Sequence, residues 1–182
     1  MLSALFGEIL TLSTHGWEQA EDSVSQIIRL RQRLTEWRYN LPGHIAVNDA
    51  RQETASRPPN IMALNMVYHV CRILLHSSGQ TRPAASAPVH IDNHVKSNPK
   101  SARTGDLHDD SLDENVCRAA AIEIHALLET WARSFSYDRM TWLMGCCVYT
   151  AAVVNAQDVR HSNIDTAREA AYRLNLATYA LG

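Results

Sequence analysis

The chain has 182 residues, of which 46% are hydrophobic and 20% charged, and its 17 Lys and Arg against 19 Asp and Glu give a formal net charge of -2. This composition is typical of a soluble globular protein with a sizeable core and excludes a collagen-like or wholly disordered chain. No basic stripe of the kind that binds nucleic-acid phosphates is visible, and the longest apolar run, residues 140–154, is short for a membrane span. We therefore expect no direct contact with nucleic acid or membrane.

Apolar residues at helical spacing predict two helices in the first 42 residues. The first covers residues 2–10 and beyond, with Gly16 as a candidate C-cap, and the second follows an apolar seam from Ala20 to the break at Leu41 and Pro42. The seam has coiled-coil-like spacing, which leaves dimerisation open. Three heptads are few for a coiled coil, so we favour burial of this face in the domain core.

A loop over residues 43–57 precedes the third helix, which Pro58 and Pro59 open and which runs to about His76. Residues 77–112 then change character, with three prolines, six serines, both lysines and no aromatic residue. Such a segment buries too little apolar surface to offset its ordering entropy, so we predict a flexible insert.

Helical patterns resume at Asp113 and continue to the C-terminus as three further helices. The fourth, residues 113–131, is predicted to be an amphipathic surface helix with His125 and Glu129 on its outer side. The fifth, about 139–157, is apolar nearly all round and is expected to form the buried centre, and the sixth starts after an N-cap at Ser162. The predicted fold is one all-α domain over residues 1–182, an irregular array of about six helices.

Four cysteines lie within these apolar patterns, with no C-x-x-C pair and no histidine at zinc-finger spacing: Cys71, Cys117, Cys146 and Cys147. We interpret them as reduced core residues of a nuclear or cytosolic protein. No predicted base lies near a thiol, so the pattern indicates no nucleophilic catalysis and a chain that is not an enzyme.

The third helix carries a polar stripe at spacings of four, three and four in an otherwise apolar sequence: Asn65, His69, Arg72 and His76. The favoured interpretation is that Asn65 and Arg72 face solvent while the histidines hydrogen-bond neighbouring helices or backbone. The alternative is the wall of a small-molecule pocket, since such pockets combine apolar lining with a few polar groups. A metal is disfavoured because His69 and His76 are about 10 Å apart along the helix axis.

Three segments resemble, in order, the regulatory (middle homology) domain of fungal zinc-cluster transcription factors, and most closely the nitrogen-assimilation regulators. "LTEWRYNLP" (34–42) matches the family's W-x-x-x-L-P, "PPNIMALNMVYHVCRILLHSSG" (58–79) its P-P-x-x-x-x-L-x-x-x-Y-H helix, and "ENVCRAAAIEIHALLETW" (114–131) its C-x-x-A-A helix. The sequence departs from the family after His76, where Arg-Pro is usual.

The resemblance implies a nuclear, all-α domain that binds an effector or a partner protein, with dimerisation with a full-length relative as a further option. In the family, zinc belongs to a six-cysteine DNA-binding segment that this sequence lacks, so we expect no cofactor here and a fragment or truncated relative. The alternative is a stand-alone domain used as a small-molecule binding protein or cofactor-free cyclase. Its candidate groups would be those of the stripe together with Tyr68 and Tyr149.

Overall fold

The computed structural model describes residues 2–14, 20–47, 57–77, 106–160 and 163–182. These form six α-helices, with a short 3₁₀ turn at Tyr137–Arg139, and contain no strand. The helices are α1 Leu2–Thr14, α2 Ala20–Tyr39, α3 Pro59–Ser77, α4 Asp106–Ser134, α5 Trp142–Asp158 and α6 Ile164–Leu181. The predicted all-α class and the number of helices are confirmed.

Helix α3 lies at the centre of the array. It packs against α1, α2, α4 and α5, while α5 also packs against α4 and α6. One hydrophobic core receives side chains from every helix, among them Leu5, Leu30, Met66, Leu128 and Met144. The carbonyl of Pro58 accepts hydrogen bonds from the third and fourth residues after it, so Pro59 sits in the first turn, where a missing N–H is tolerated.

The seam on α2 is buried from Ile27 to Trp37, as the core interpretation predicted, and Leu41 is partly buried. Ile27, Leu30, Leu34 and Trp37 are each less than 9% exposed, whereas Val24 is 58% exposed. The residues that a coiled coil would use therefore contact the rest of this domain over most of the helix.

The prediction that α5 is buried on all sides is wrong. Met144 and Val148 are fully buried, but Trp142 is 83% exposed, Tyr149 64% and Val153 46%. The neighbours of α5 cover one side of the helix only, so its apolar composition overstates its burial. Helix α3, with its polar stripe, is the more deeply buried of the two.

Several predicted boundaries shift. Ser77 is the last residue of α3 and residues 106–112 belong to α4, so the ends of the predicted insert are helical, while residues 78–105 lie outside the described residues. The N-cap of α6 is Asn163, whose Oδ1 accepts hydrogen bonds from the N–H groups of Asp165 at 2.9 Å and Thr166 at 3.2 Å. The predicted caps Gly16 and Ser162 lie outside the described residues.

Candidate functional site

Asn65, the first residue of the polar stripe, is completely buried, so the prediction that it faces solvent is wrong. Its Nδ2 donates to the carbonyls of Ile45 at 2.9 Å and Ile61 at 2.8 Å. Its Oδ1 accepts from the Val47 N–H at 3.1 Å and from Arg38 Nη1 at 2.8 Å. The amide therefore uses both donors and both acceptor positions to hold the loop after α2 against α3.

Aromatic and cationic groups surround this amide. The Tyr68 ring lies 5.8 Å from the Trp37 ring and 5.0 Å from the His69 ring, measured between centroids. The Arg38 guanidinium carbon lies 5.0 Å from the Tyr68 ring centroid and that of Arg72 lies 6.0 Å from it, both within cation–π range. We call the cluster of Arg38, Val47, Asn65, Tyr68 and His69 the Asn65 junction.

His69 is the least well partnered member of the Asn65 junction. It is 5% exposed, and its Nδ1 finds no hydrogen-bond partner in the part of the chain that the structure describes. Burial lowers the pKa of His69 to about 3, and the positive charges of Arg72 and Arg38 act in the same direction. The imidazole is therefore neutral near pH 7 and contributes packing inside the junction.

His76 belongs to a second cluster, which joins three helices. Its Nδ1 lies 2.6 Å from Asp113 Oδ1, and Arg31 Nη2 donates to Asp113 Oδ2 at 2.9 Å and to the Leu75 carbonyl at 3.0 Å. Burial lowers the pKa of His76, while its hydrogen bond to Asp113 opposes that shift. The prediction that a stripe histidine hydrogen-bonds a neighbouring helix is confirmed for His76.

The six residues proposed as one ligand site are thus distributed over three places. Asn65, Tyr68 and His69 belong to the Asn65 junction, and Arg72 contacts it through the Tyr68 ring. His76 lies in the Arg31–Asp113 cluster, and Tyr149 is exposed on α5. Within the described ranges, no three His, Cys, Asp or Glu side chains are grouped to hold a metal ion. None of the described helices is both long and apolar enough to cross a membrane.

The cysteines lie mostly in the core, as the sequence predicted. Cys71, Cys117 and Cys147 are buried and Cys146 is partly exposed, and none of the four forms a disulfide. Burial raises the pKa of Cys71 and of Cys147 to about 12. Thiols that stay protonated to this degree are poor nucleophiles.

A groove of about 400 Å³ lies between α4 and α6, away from all six predicted residues. It forms because both helices pack on α5 and not closely on each other. Its lining combines three guanidinium groups, two carboxylates, a phenol, an imidazole and two apolar side chains: Arg133, Arg168, Arg173, Glu129, Glu169, Tyr172, His125, Ile122 and Ala126. We call it the α4–α6 groove.

Buried polar groups support one wall of this groove. Arg173 Nε donates to Asn155 Oδ1 of α5 at 3.0 Å, and Arg173 Nη1 donates to Glu169 Oε2 at 3.2 Å. Asn155 Nδ2 in turn donates to the Ala151 carbonyl at 2.9 Å. Arg173 and Asn155 are both buried, so this network fixes the position of α6 on α5.

His125 is also part of this wall, whereas the sequence placed it on the outer side of α4. It is 1% exposed, because α4 is covered by α3 on one side and by α5 on another. Its Nδ1 lies 2.9 Å from the Ala121 carbonyl, which favours the proton on Nδ1 and leaves Nε2 as an acceptor. That Nε2 is buried without a partner in the described residues, and burial lowers the pKa of His125.

The charged groups at the edge of the groove are less constrained. Glu129 is partly buried and makes no hydrogen bond or ion pair with the residues that the structure describes. Arg133 Nη2 donates to Thr130 Oγ1 at 2.7 Å, and Arg168 pairs with Asp165 at 3.2 Å on the surface. The lining contains no thiol and no aliphatic hydroxyl, so the arrangement is suited to binding a charged small molecule.

Sequence reasoning missed this groove for an identifiable reason. Glu129 with Arg133, and Glu169 with Arg173, are each spaced four residues apart, which in a sequence indicates only a solvated helix face. These two faces lie close together only because α4 and α6 both pack against α5, which the sequence does not reveal.

Comparisons of the chain with protein-family models, with curated proteins and with solved structures find no match. The Asn65 junction, the α4–α6 groove and the sequence motifs are therefore the features of this chain that point to a function.

Proposed function

We propose that this chain is a regulatory helical domain of the fungal zinc-cluster transcription factor type, acting in the nucleus by binding an effector or a partner protein. The observation that supports this proposal is that the first and third segments of the family resemblance each contact α3, which carries the second segment.

The first two segments meet at the Asn65 junction. Trp37 of the W-x-x-x-L-P segment contacts the ring of Tyr68 from the Y-H pair, and Leu41 packs against the core. The next residue, Pro42, accepts hydrogen bonds through its carbonyl from Ile45 at 2.8 Å and Ala46 at 3.0 Å, which turns the chain toward Asn65. These motif residues are therefore used in packing.

The third segment meets α3 from the other side. Cys117, Ala120 and Ala121 of the C-x-x-A-A segment are all buried, and Cys117 Sγ lies 3.7 Å from the Ile73 carbonyl of α3. Small side chains at these positions allow α4 to approach α3 closely. Because Trp37, Cys117, Ala120 and Ala121 are occupied with packing, effector or partner recognition falls to other residues of these segments or to other surfaces.

The proposed mechanism is a change in helix packing that exposes or covers a partner surface. Helix α6 contacts the rest of the described chain mainly through α5, so a ligand or partner that changes the α5–α6 arrangement would alter the exposed surface with little effect on the α3 core.

The first test is the native transcript. The proposal expects an in-frame segment upstream of residue 1 that encodes six cysteines in closely spaced pairs with basic residues around them.

The second test fuses the chain between a heterologous DNA-binding domain and an activation domain in a fungal host. Reporter output should then change severalfold with the nitrogen source, while a fusion with an unrelated helical domain of similar length should not respond. A transcript without that segment, together with a reporter that never responds, would contradict the proposal.

The second candidate is a stand-alone small-molecule binding protein. The α4–α6 groove favours it, since its volume lies within the range of about 300–1,000 Å³ found for ligand pockets. The reporter separates the two candidates, because a stand-alone binding protein would retain its ligand affinity and have no effect on transcription.

A further inference from the structure

The charged residues that line the α4–α6 groove differ in how well they are partnered. Glu169 and Arg173 pair with each other, and Arg173 is held further by Asn155. Glu129 has no partner within the described residues, although it is partly buried. A carboxylate in this situation is stabilised by any cationic or N–H donor that enters the groove.

Two guanidinium groups at the edge of the groove are available to an anion. Arg133 lies one turn after Glu129 on α4, is exposed, and donates through one nitrogen to Thr130 Oγ1. Arg168 lies on α6, and its pair with Asp165 is largely exposed on both sides, so that contact is worth little and is easily exchanged. A guanidinium fork matches a carboxylate with two parallel hydrogen bonds.

We propose that the α4–α6 groove binds a free α-amino acid, with its ammonium group on Glu129 and its carboxylate on Arg133 or Arg168. A simple anion would leave Glu129 without a partner, and a simple amine would make no use of the exposed guanidinium groups of Arg133 and Arg168. A compact zwitterion satisfies both charges at once. Ile122 and Ala126 form an apolar surface for the side chain, with the Tyr172 ring beside them.

An amino-acid site would identify the effector of the proposed regulatory domain, and its role in transcription rests on that proposed function. The binding itself is measured on the purified chain. If the chain binds amino acids but the reporter does not respond, only the transcriptional role is contradicted. If the reporter responds but the chain binds no amino acid, only the amino-acid site is contradicted.

The first experiment titrates the purified 182-residue chain with each standard L-amino acid in a calorimeter. The tightest binder is then compared with its two matched analogues, the amine that lacks the carboxylate and the acid that lacks the amino group. We expect both analogues to bind at least about tenfold more weakly, because each loses one of the two charged contacts that the amino acid would make with the groove. An analogue that binds as tightly as the amino acid, or no saturable binding of any amino acid, would overturn the inference.

Variants locate the site. Glu129→Gln and Arg133→Met should each weaken binding by about tenfold, and Ile122→Trp should weaken it by filling the groove while every charge is retained. Glu36→Gln and Arg29→Met are the matched controls, since both residues are exposed on α2. Circular dichroism checks that each variant is folded. Equal affinity in the groove variants and the controls would place the site elsewhere and overturn the assignment.

Discussion

Asn65, at the centre of the Asn65 junction, and Glu129, in the α4–α6 groove, are both polar residues near helix contacts, but they differ in how they are partnered. At the junction, the amide of Asn65 has every donor and acceptor satisfied inside the protein. In the groove, Glu129 and the Nε2 of His125 have no partner within the described residues. A satisfied network stabilises a fold, whereas unsatisfied groups next to open space lower stability and favour a ligand.

The largest expected effect is at the centre of the junction. Asn65→Leu removes four hydrogen bonds and leaves the buried Val47 N–H and two partly buried backbone carbonyls without their side-chain partner. We expect the free energy of unfolding to fall by about 3 kcal/mol, measured by urea denaturation. Asn175→Ala on the exposed face of α6 is the control and should change it by less than about 0.5 kcal/mol. Equal stability of the two variants would show that the junction is not a stabilising network.

A smaller effect should appear as a pH dependence that originates at His69. Its pKa in the folded protein, about 3, lies below the unfolded value of about 6.5, so the unfolded chain binds the proton first as the pH falls. Stability from this residue is therefore complete above about pH 6.5 and falls by about 1.4 kcal/mol for each pH unit below it, toward the folded-state pKa.

His69→Phe keeps a ring beside Tyr68 and removes the titrating group. Burial also lowers the pKa of His76 and His125, so the wild-type curve contains their contributions, and the difference between wild type and variant isolates His69. Unfolding free energies measured between about pH 7 and pH 5 should decrease more steeply for wild type. Parallel curves would contradict the assignment of a buried, neutral His69. His44→Gln, at an exposed position, serves as the control.

The smallest effect is expected in the groove. Glu129→Gln should change the free energy of unfolding by less than about 0.5 kcal/mol, since the carboxylate makes no hydrogen bond or ion pair with the described residues. The same substitution is the one expected to weaken amino-acid binding. If Glu129→Gln lowered the free energy of unfolding as much as Asn65→Leu, Glu129 would stabilise the fold as Asn65 does, and the two residues would not differ in role.

The misplaced residues have a common cause. The sequence predicts an outer face for both His125 and Asn65, because polar residues at helical spacing usually meet solvent. Each is in fact covered by a second neighbour, α5 in one case and the loop at 45–47 in the other. Conversely, Tyr149 and Trp142 lie in an apolar stretch that suggested complete burial, yet both are exposed because no described helix covers that side of α5.

The sequence by itself determined the helices and most of the α2 seam, because helical periodicity and proline placement act locally along the chain. Leu30, Leu34 and Trp37 are buried as their spacing indicated. Only the tertiary structure decided which polar residues are enclosed and which remain without a partner. Periodicity defines the faces of a helix, but burial depends on which elements pack against each face, and those elements are distant in sequence. The loop at 45–47 therefore encloses Asn65, which hydrogen-bonds inside the protein, while Glu129 and Arg133 line an open groove.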